Sequence, residues 1–407
     1  MSNLYRPRLP SETLDHIVDF LHDDQESLLR CSRVSKSWIS RARQHLFAFV
    51  VFYSAAHLES WKLLFPDAST SPARYTREVL FKCPELVTAA STVESGWIRV
   101  FSHVTWLGLF IRFREFDIDD LAASLRRFHG FSPSVKSLQL SFDTPPNSQI
   151  FALISSFPHL EDLVLTTLFY DDGGPVDIDV PQIIVRPSPA YTGTLDLSLY
   201  NGKDRMVNWL LSLPNGLHFR KVVTRWFHTE DAQSTNALIA GCSDTLECLI
   251  ISISHPIPRS SVPFRELIHG SLSPLDLPDT TPVDLSKAKR LVKVLFVPWA
   301  TSVEWVTLAL QTITFTHQDH RELSINAFYD GFFPNPVTDA RQVVEESVYG
   351  EWLRLDDILV QLVDSRPVCF TIHSSVQREE LYGHLEHLLP EMTKKGTIDL
   401  VEWRGIP

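Results

Sequence analysis

Glycine is sparse where glycine-based chemistry would need it. The 407-residue chain holds 15 glycines, and apart from the adjacent pair Gly173-Gly174 no two lie closer than nine residues. A dinucleotide fingerprint needs Gly-x-Gly, a phosphate loop needs glycines five apart, and a nucleophile elbow needs them four apart. All three are missing in their standard forms. No stretch approaches roughly 18 consecutive apolar residues, so no membrane-spanning helix is expected. Arg6 and Arg8 precede Pro10 with no apolar core between, so no secretory signal is expected either. The five cysteines, Cys31, Cys83, Cys242, Cys248 and Cys369, are odd in number and separated by 52, 159, 6 and 121 positions. That spacing gives neither a disulfide framework nor a zinc pattern. With no Asn-x-Ser/Thr sequon, the reading is a reducing intracellular compartment, cytoplasmic and/or nuclear.

Positive charge is also in short supply. Lys and Arg number 37 against 49 Asp and Glu, a net charge of −12. The first fifty residues carry seven Lys/Arg and six Asp/Glu, leaving −13 on the remainder. Affinity for a phosphate backbone comes mainly from Lys and Arg, so nucleic acid is not an expected partner. Hydrophobic content of 44% with 21% charged residues is globular. The length implies two or three domains or a repeat array.

Candidate ligands for a metal do not assemble. His317-x-x-His320 and His384-x-x-His387 could each place two imidazoles on one helical face, but neither stands in a His-Glu-x-x-His arrangement or has an obvious third ligand nearby in sequence. They read as surface histidines. Cys242 and Cys248 bracket Leu246 and read as buried thiols. Among the carboxylates, Asp119 or Asp120 reads as the cap of a helix beginning at Leu121. The run Glu345, Glu346, Glu351, Asp356 and Asp357 reads as a solvated face. No catalytic constellation and no cofactor site are expected. A hydrolase would need a deep pocket with a nucleophile beside a base.

What the chain does have begins at Leu9. After Leu9-Pro10, the apolar residues Leu14, Ile17, Val18 and Leu21 fall at i, i+3, i+4 and i+7, one face of a helix. Ser11 is the expected N-cap, with Glu12 in the first turn where the dipole favours it. Asp23 and Glu26 have the spacing of a capping box for a second helix carrying Leu28, Leu29 and Cys31. Val34-Ser35-Lys36-Ser37-Trp38 leads into a third helix, on which Trp38, Ala42 and Leu46 share a face. Three helices this short cannot bury all those side chains among themselves.

This stretch resembles the F-box. Leu9-Pro10, Glu12, Leu14, Ile17, Leu21, Leu28-Leu29, Val34-Ser35 and Trp38 stand where that family's motif has its residues. The resemblance implies that Leu9, Pro10, Leu14, Ile17, Leu21, Leu28, Leu29, Val34, Ser35 and Trp38 bind a Skp-family adaptor, and through it a cullin ubiquitin ligase. The block Val283 to Lys287 and Ser302 to Thr314 resembles one common in the large fungal set of F-box proteins.

The body repeats itself. Val135-x-x-Leu138-x-Leu140 recurs 25 residues later as Leu160-x-x-Leu163-x-Leu165. The same spacing appears at Val104-Leu107-Leu109, Leu246-Leu249-Ile251 and Leu291-Val294-Phe296, with shorter echoes at Leu195-Leu197-Leu199 and Leu323-Ile325. Helical spacing separates them, over Leu121–Phe128, Ile150–Phe157, Trp209–Leu213, Ala237–Ala240 and Val303–Leu310. Farther on, Trp352 to Leu362 and Leu381 to Leu389 each read as one helix, and Val368–Ile372 and Ile398–Val401 as strands.

Strand and helix alternating at this period resemble degenerate leucine-rich repeats, although Arg112, Asp143, Leu168 and Ser254 stand where that family places asparagine. The expected fold is α/β: a three-helix F-box over residues 1–50, a connecting strand and helix region over 51–99, and a solenoid with a parallel sheet over 100–407. An ordinary doubly wound sheet is the alternative architecture.

In a solenoid the strand residues between the leucines face the concave side. Lys136, Gln139, Glu161, Asp162, Val164, Glu247, Ile250, Lys293 and Leu295 are therefore the expected target-binding residues, with Ser137, Ser141, Thr166, Ser252 and Ser324 among their neighbours. The function implied is a non-catalytic substrate-recognition subunit of a Skp-cullin-F-box type ubiquitin ligase, holding an unidentified target protein. The alternative is a repeat scaffold unconnected with ubiquitin, in which the Ile17 and Leu21 face would be buried against residues 47–110.

Overall fold

Three helices open the chain in the computed structural model, which describes residues 10–67, 70–82, 98–111, 128–142, 148–167, 191–199, 203–226, 230–253, 282–297, 303–313, 322–329, 346–365, 367–374 and 378–402. They are α1 (Ser11–Asp19), α2 (Gln25–Val34) and α3 (Lys36–Leu46). Two caps differ from expectation by one residue. Pro10, not Ser11, holds the cap position of α1, because its carbonyl already accepts from the Leu14 N–H at 3.2 Å and draws Ser11 into the first turn. Asp24, not Asp23, caps α2, accepting from the Ser27 N–H at 3.0 Å. A cap oxygen reaches the N–H three residues on, and Ser27 stands in that position only relative to Asp24. Ser35 caps α3 by accepting from the Ser37 N–H.

From Phe49 onward the chain alternates strand and helix in two units, residues 1–190 and 191–407. The first unit holds β1 (Phe49–Phe52), β2 (Glu78–Phe81), β3 (Trp106–Ile111), β4 (Ser137–Phe142) and β5 (Asp162–Thr167), each paired in parallel with the next. Of its crossovers, α4 (Ala55–Leu64) and α5 (Ser148–Ser155) are described.

The second unit holds β6 (Thr194–Leu199), β7 (Lys221–Trp226), β8 (Cys248–Ile253), β9 (Lys293–Val297), β10 (Leu323–Tyr329), β11 (Val368–Ser374) and β12 (Ile398–Glu402), again parallel in chain order. Its described helices are α6 (Lys203–Leu211), α7 (Glu230–Gly241), α8 (Val303–Gln311), α9 (Glu346–Ser365), α10 (Arg378–Leu388) and α11 (Pro390–Lys395). Parallel neighbours need such crossovers, and a neighbour-to-neighbour strand order is what a solenoid produces. The fold is α/β and solenoid-like.

The leucine spacing explains the packing. Leu107, Leu138 and Leu163 are register partners, and so are Leu109, Leu140 and Leu165. All six are buried, so each strand's apolar side chains are covered by those of the next. The first unit adds aromatic mass: Phe52 stacks on Phe81 at 5.3 Å, and Phe81 meets Phe128 edge-on at 5.2 Å. β2 and β7 are among the strands that carry no full x-x-Leu-x-Leu signature. β2 is Glu-Val-Leu-Phe, within the stretch expected to be a connection. β7 turns Val222 and Thr224 inward, both fully buried.

Two expectations fail near the C-terminal end for one reason. Leu381 to Leu389 was expected to lie on one helix; α10 carries Leu381, Leu385 and Leu388, and only Leu389, directly before Pro390, falls outside it. A residue before proline is pushed out of the helical region, and Leu389 sits at φ −130°, ψ 61°. Leucine cannot cap α11, and Asp356 of α9 does so from across the fold. Its carboxylate accepts from the Glu391 N–H at 2.8 Å and the Met392 N–H at 2.9 Å. Asp356, expected on a solvated face, is 2% exposed. The helix read at Leu121, the expected cap at Asp119 or Asp120, and the positions Arg112, Asp143, Leu168 and Ser254 lie outside the described residues.

Candidate adaptor-binding site

The three helices close on a small core of Val18, Leu28 and Ala42, with Leu21, Trp38 and Leu46 packed around it. This core takes one apolar residue from each helix and leaves others out. Ile17 is 40% exposed, Leu29 43%, Val34 71% and Phe20 87%. Ile17 on α1 and Phe20, the C-cap residue that continues its helical turn, stand at i and i+3 and are surface neighbours. An 87% exposed phenylalanine gains nothing from burial in the chain's own fold, and exposed apolar groups of this size mark association surfaces.

One ionic cluster sets the angle between α1 and α3. The Asp19 carboxylate accepts from Arg41 Nε at 2.5 Å and a terminal Arg41 nitrogen at 2.6 Å, and lies 2.7 Å from His45 Nε2. The Arg41 hydrogen bonds, then that of His45, hold the Asp19 carboxyl well below the usual carboxylate range, and Arg41 is raised in turn. Asp19 is the last residue of α1, so the cluster pins the end of the helix that carries Ile17 and leads into Phe20.

The helices are joined closely to the first unit. Only Phe47 and Ala48 separate α3 from β1. Phe47 packs edge-on against Trp61 at 5.9 Å and Phe65 at 6.3 Å. The Ala48 carbonyl accepts from the N–H groups of Arg77 and Glu78. Ser40 of α3 lies beside the turn at Pro72–Tyr75 and, with Arg74, lowers the Tyr75 hydroxyl.

Of the expected adaptor-binding residues, Ile17, Leu29 and Val34 are exposed and Leu14, Leu21, Ser35 and Trp38 are partly buried. Leu28, at 1% exposure, is a core residue that supports the surface without lying on it. Pro10 is exposed and begins α1; Leu9 lies outside the described residues. Ile17 keeps 40% of its surface exposed and Leu21 is partly buried, whereas the scaffold alternative expected their face to be buried against residues 47–110. Phe20 was not singled out in the sequence, although its i+3 spacing from Ile17 was there to be read.

The expected target-binding residues fall into two groups. In the first unit Gln139 and Val164 are register partners, and Lys136 pairs with Glu161 at 2.7 Å just before Asp162. In the second unit Ile250 and Leu295 are register partners, Lys293 is exposed, and Glu247 pairs with Arg290 at 3.3 Å. Cys242 is buried, and burial pushes its thiol up to about 12. Among the described residues, no three His, Cys, Asp or Glu side chains are grouped to hold a metal ion. His317 and His320 lie outside them, and His387 is exposed. No described helix is long and apolar enough to cross a membrane. A groove of about 310 Å³ between α8 and α9, lined by Leu310, Gln311, Arg354, Asp357 and Leu362, has no serine, cysteine or histidine in its walls.

Residues 7–52 match the F-box-like family, so the three helices and β1 form an F-box-like domain at the head of an α/β solenoid-like chain. No curated protein matches the chain. Among solved structures it is similar to a chain of the crystal structure of the Rad7 and Elc1 complex in yeast. The two share 12% identity over 89% of this chain and 88% of that one, with a TM-score of 0.31.

Proposed function

We propose that this protein is the substrate-recognition subunit of a Skp-cullin-F-box type ubiquitin ligase, of the fungal F-box type, working in the cytoplasm and/or nucleus. The F-box-like domain binds a Skp-family adaptor through Ile17, Phe20, Leu29 and Val34, and Leu9-Pro10 sets the start of α1. The body, read as degenerate leucine-rich repeats over about 100–407, holds a target protein on the outward faces of its strands. It needs no cofactor and breaks no bond itself. Its contribution to rate is effective concentration and orientation of the target beside the ubiquitin-charged enzyme.

The observation that carries this reading is the set of apolar side chains left bare on a domain that matches the F-box-like family and already has a closed core. Replacing Leu9 and Pro10 by alanine is expected to abolish co-purification with the adaptor while the far-ultraviolet circular dichroism of the body is unchanged. Undiminished capture would reject the reading.

A further inference from the structure

Three strands of the second unit start with a cation, a thiol and a cation. Lys221, Cys248 and Lys293 are the first residues of β7, β8 and β9 and are register partners. Both ammonium groups act on the Cys248 thiol, offsetting part of the upward push that burial gives it. Adjacent strands lie about 4.8 Å apart, which puts the two lysine backbones roughly 10 Å from each other. Among the described residues neither lysine has an ion pair or a side-chain hydrogen bond, whereas Lys136, Lys289, Lys394 and Lys395 each have a carboxylate. Two cations without an ion-pair partner among the described residues thus stand close together on a chain of net charge −12, the carboxylate of Asp196 lying one strand over as the register partner of Val223.

The next row on the same face is apolar at its centre. Val223, Ile250 and Leu295 are register partners two positions along from the lysine row, and all three are partly exposed. The side chains of alternate strand residues share a face, so the cationic and aliphatic rows run side by side, about 7 Å apart. An α-helix advances 5.4 Å per turn, close to the strand spacing, so a helix lying across the strands offers about one side chain per turn to each strand.

We propose that this face of the second unit binds an amphipathic helix of the target protein, with carboxylates over Lys221 and Lys293 and an aliphatic stripe over Val223, Ile250 and Leu295. The proposal rests on the substrate-receptor reading and names the chemistry of its target. Charge complementarity selects the occupant: two free ammonium groups beside an aliphatic row repel a basic helix, and a wholly apolar helix would leave them desolvated without partners.

The test is fluorescence anisotropy with the full chain and a labelled helical peptide. The peptide carries glutamates two turns apart on one flank and leucines on the adjoining flank, and a second probe has lysines in place of the glutamates. The acidic probe is expected to bind, to weaken with salt, and to lose at least tenfold in affinity in Lys221→Glu/Lys293→Glu, whereas Lys221→Arg/Lys293→Arg retains it. Equal binding of both probes, no binding of the acidic probe, or an unchanged affinity after charge reversal overturns the proposal. Adaptor capture by the charge-reversed chain separates the two levels. If capture persists while the peptide result fails, only this inference falls; if the unaltered chain captures no adaptor, the receptor reading itself fails.

Discussion

Two aspartates carry more structural weight than their surroundings suggest. Asp19 joins α1 to α3 through Arg41 and His45. Because the cluster is partly exposed, Asp19→Asn is expected to cost only about 1 kcal/mol. The depressed carboxyl fixes the sign of the pH dependence. Its stabilisation is complete above the unfolded value of about 3.9 and is lost as pH falls toward the folded value. The stability gap between the wild type and Asp19→Asn should therefore hold from pH 7 to about 5 and close below about 4, as measured by urea unfolding across that range. Asp356 works in a drier place. Removing its carboxylate leaves the Glu391 and Met392 N–H groups without their acceptor, so Asp356→Ala should cost about 2 kcal/mol, read from the unfolding of α9 to β12. The acidic run containing Asp356 looks solvated in sequence because the group it caps lies 35 residues away.

At the scale of elements, the double leucine shows what periodicity reports and what it does not. Consecutive helical side chains point about 100° apart, so Leu28 and Leu29 cannot share a face. One closes the core and the other is bare, and nothing in the pair itself says which. The two should separate by experiment. Leu28→Ala is expected to destabilise the head by about 3 kcal/mol through a core cavity, whereas Leu29→Ser and Phe20→Ser should change stability by less than about 0.5 kcal/mol. Differential scanning calorimetry distinguishes them. Strand existence was legible wherever leucine or a close substitute recurred at the right spacing, as in β4, β5, β8 and β9. Thr224 occupies a core position of β7 where the pattern asks for leucine, and β2 has only four residues, so neither announced itself. The cap of α2 was off by one because Asp23 and Asp24 are alike in kind, and only backbone geometry decides between them.

For the whole molecule, the proposed function gives the head and the body separable duties. The parallel array starts at Phe49, directly after the third helix, so a truncation that probes the head should end at Leu46 and leave β1 intact. In affinity capture, a chain lacking residues 1–46 is expected to lose the adaptor and keep the target, and the charge-reversed Lys221→Glu/Lys293→Glu chain to do the opposite. The fold class and the F-box-like head were readable because both rest on local spacing of apolar residues. The lysine pair was not, since Lys221 and Lys293 lie on different strands and become neighbours only through the register of β7, β8 and β9.

The most direct measurement is the affinity of a purified Skp-family adaptor for the full chain and for Ile17→Ser/Phe20→Ser, by isothermal titration calorimetry. Tight binding by the unaltered chain, weakened at least tenfold in the double variant with its melting temperature preserved, is the expected result. Equal affinity for both chains, or none for either, would contradict the assignment of this face to the adaptor.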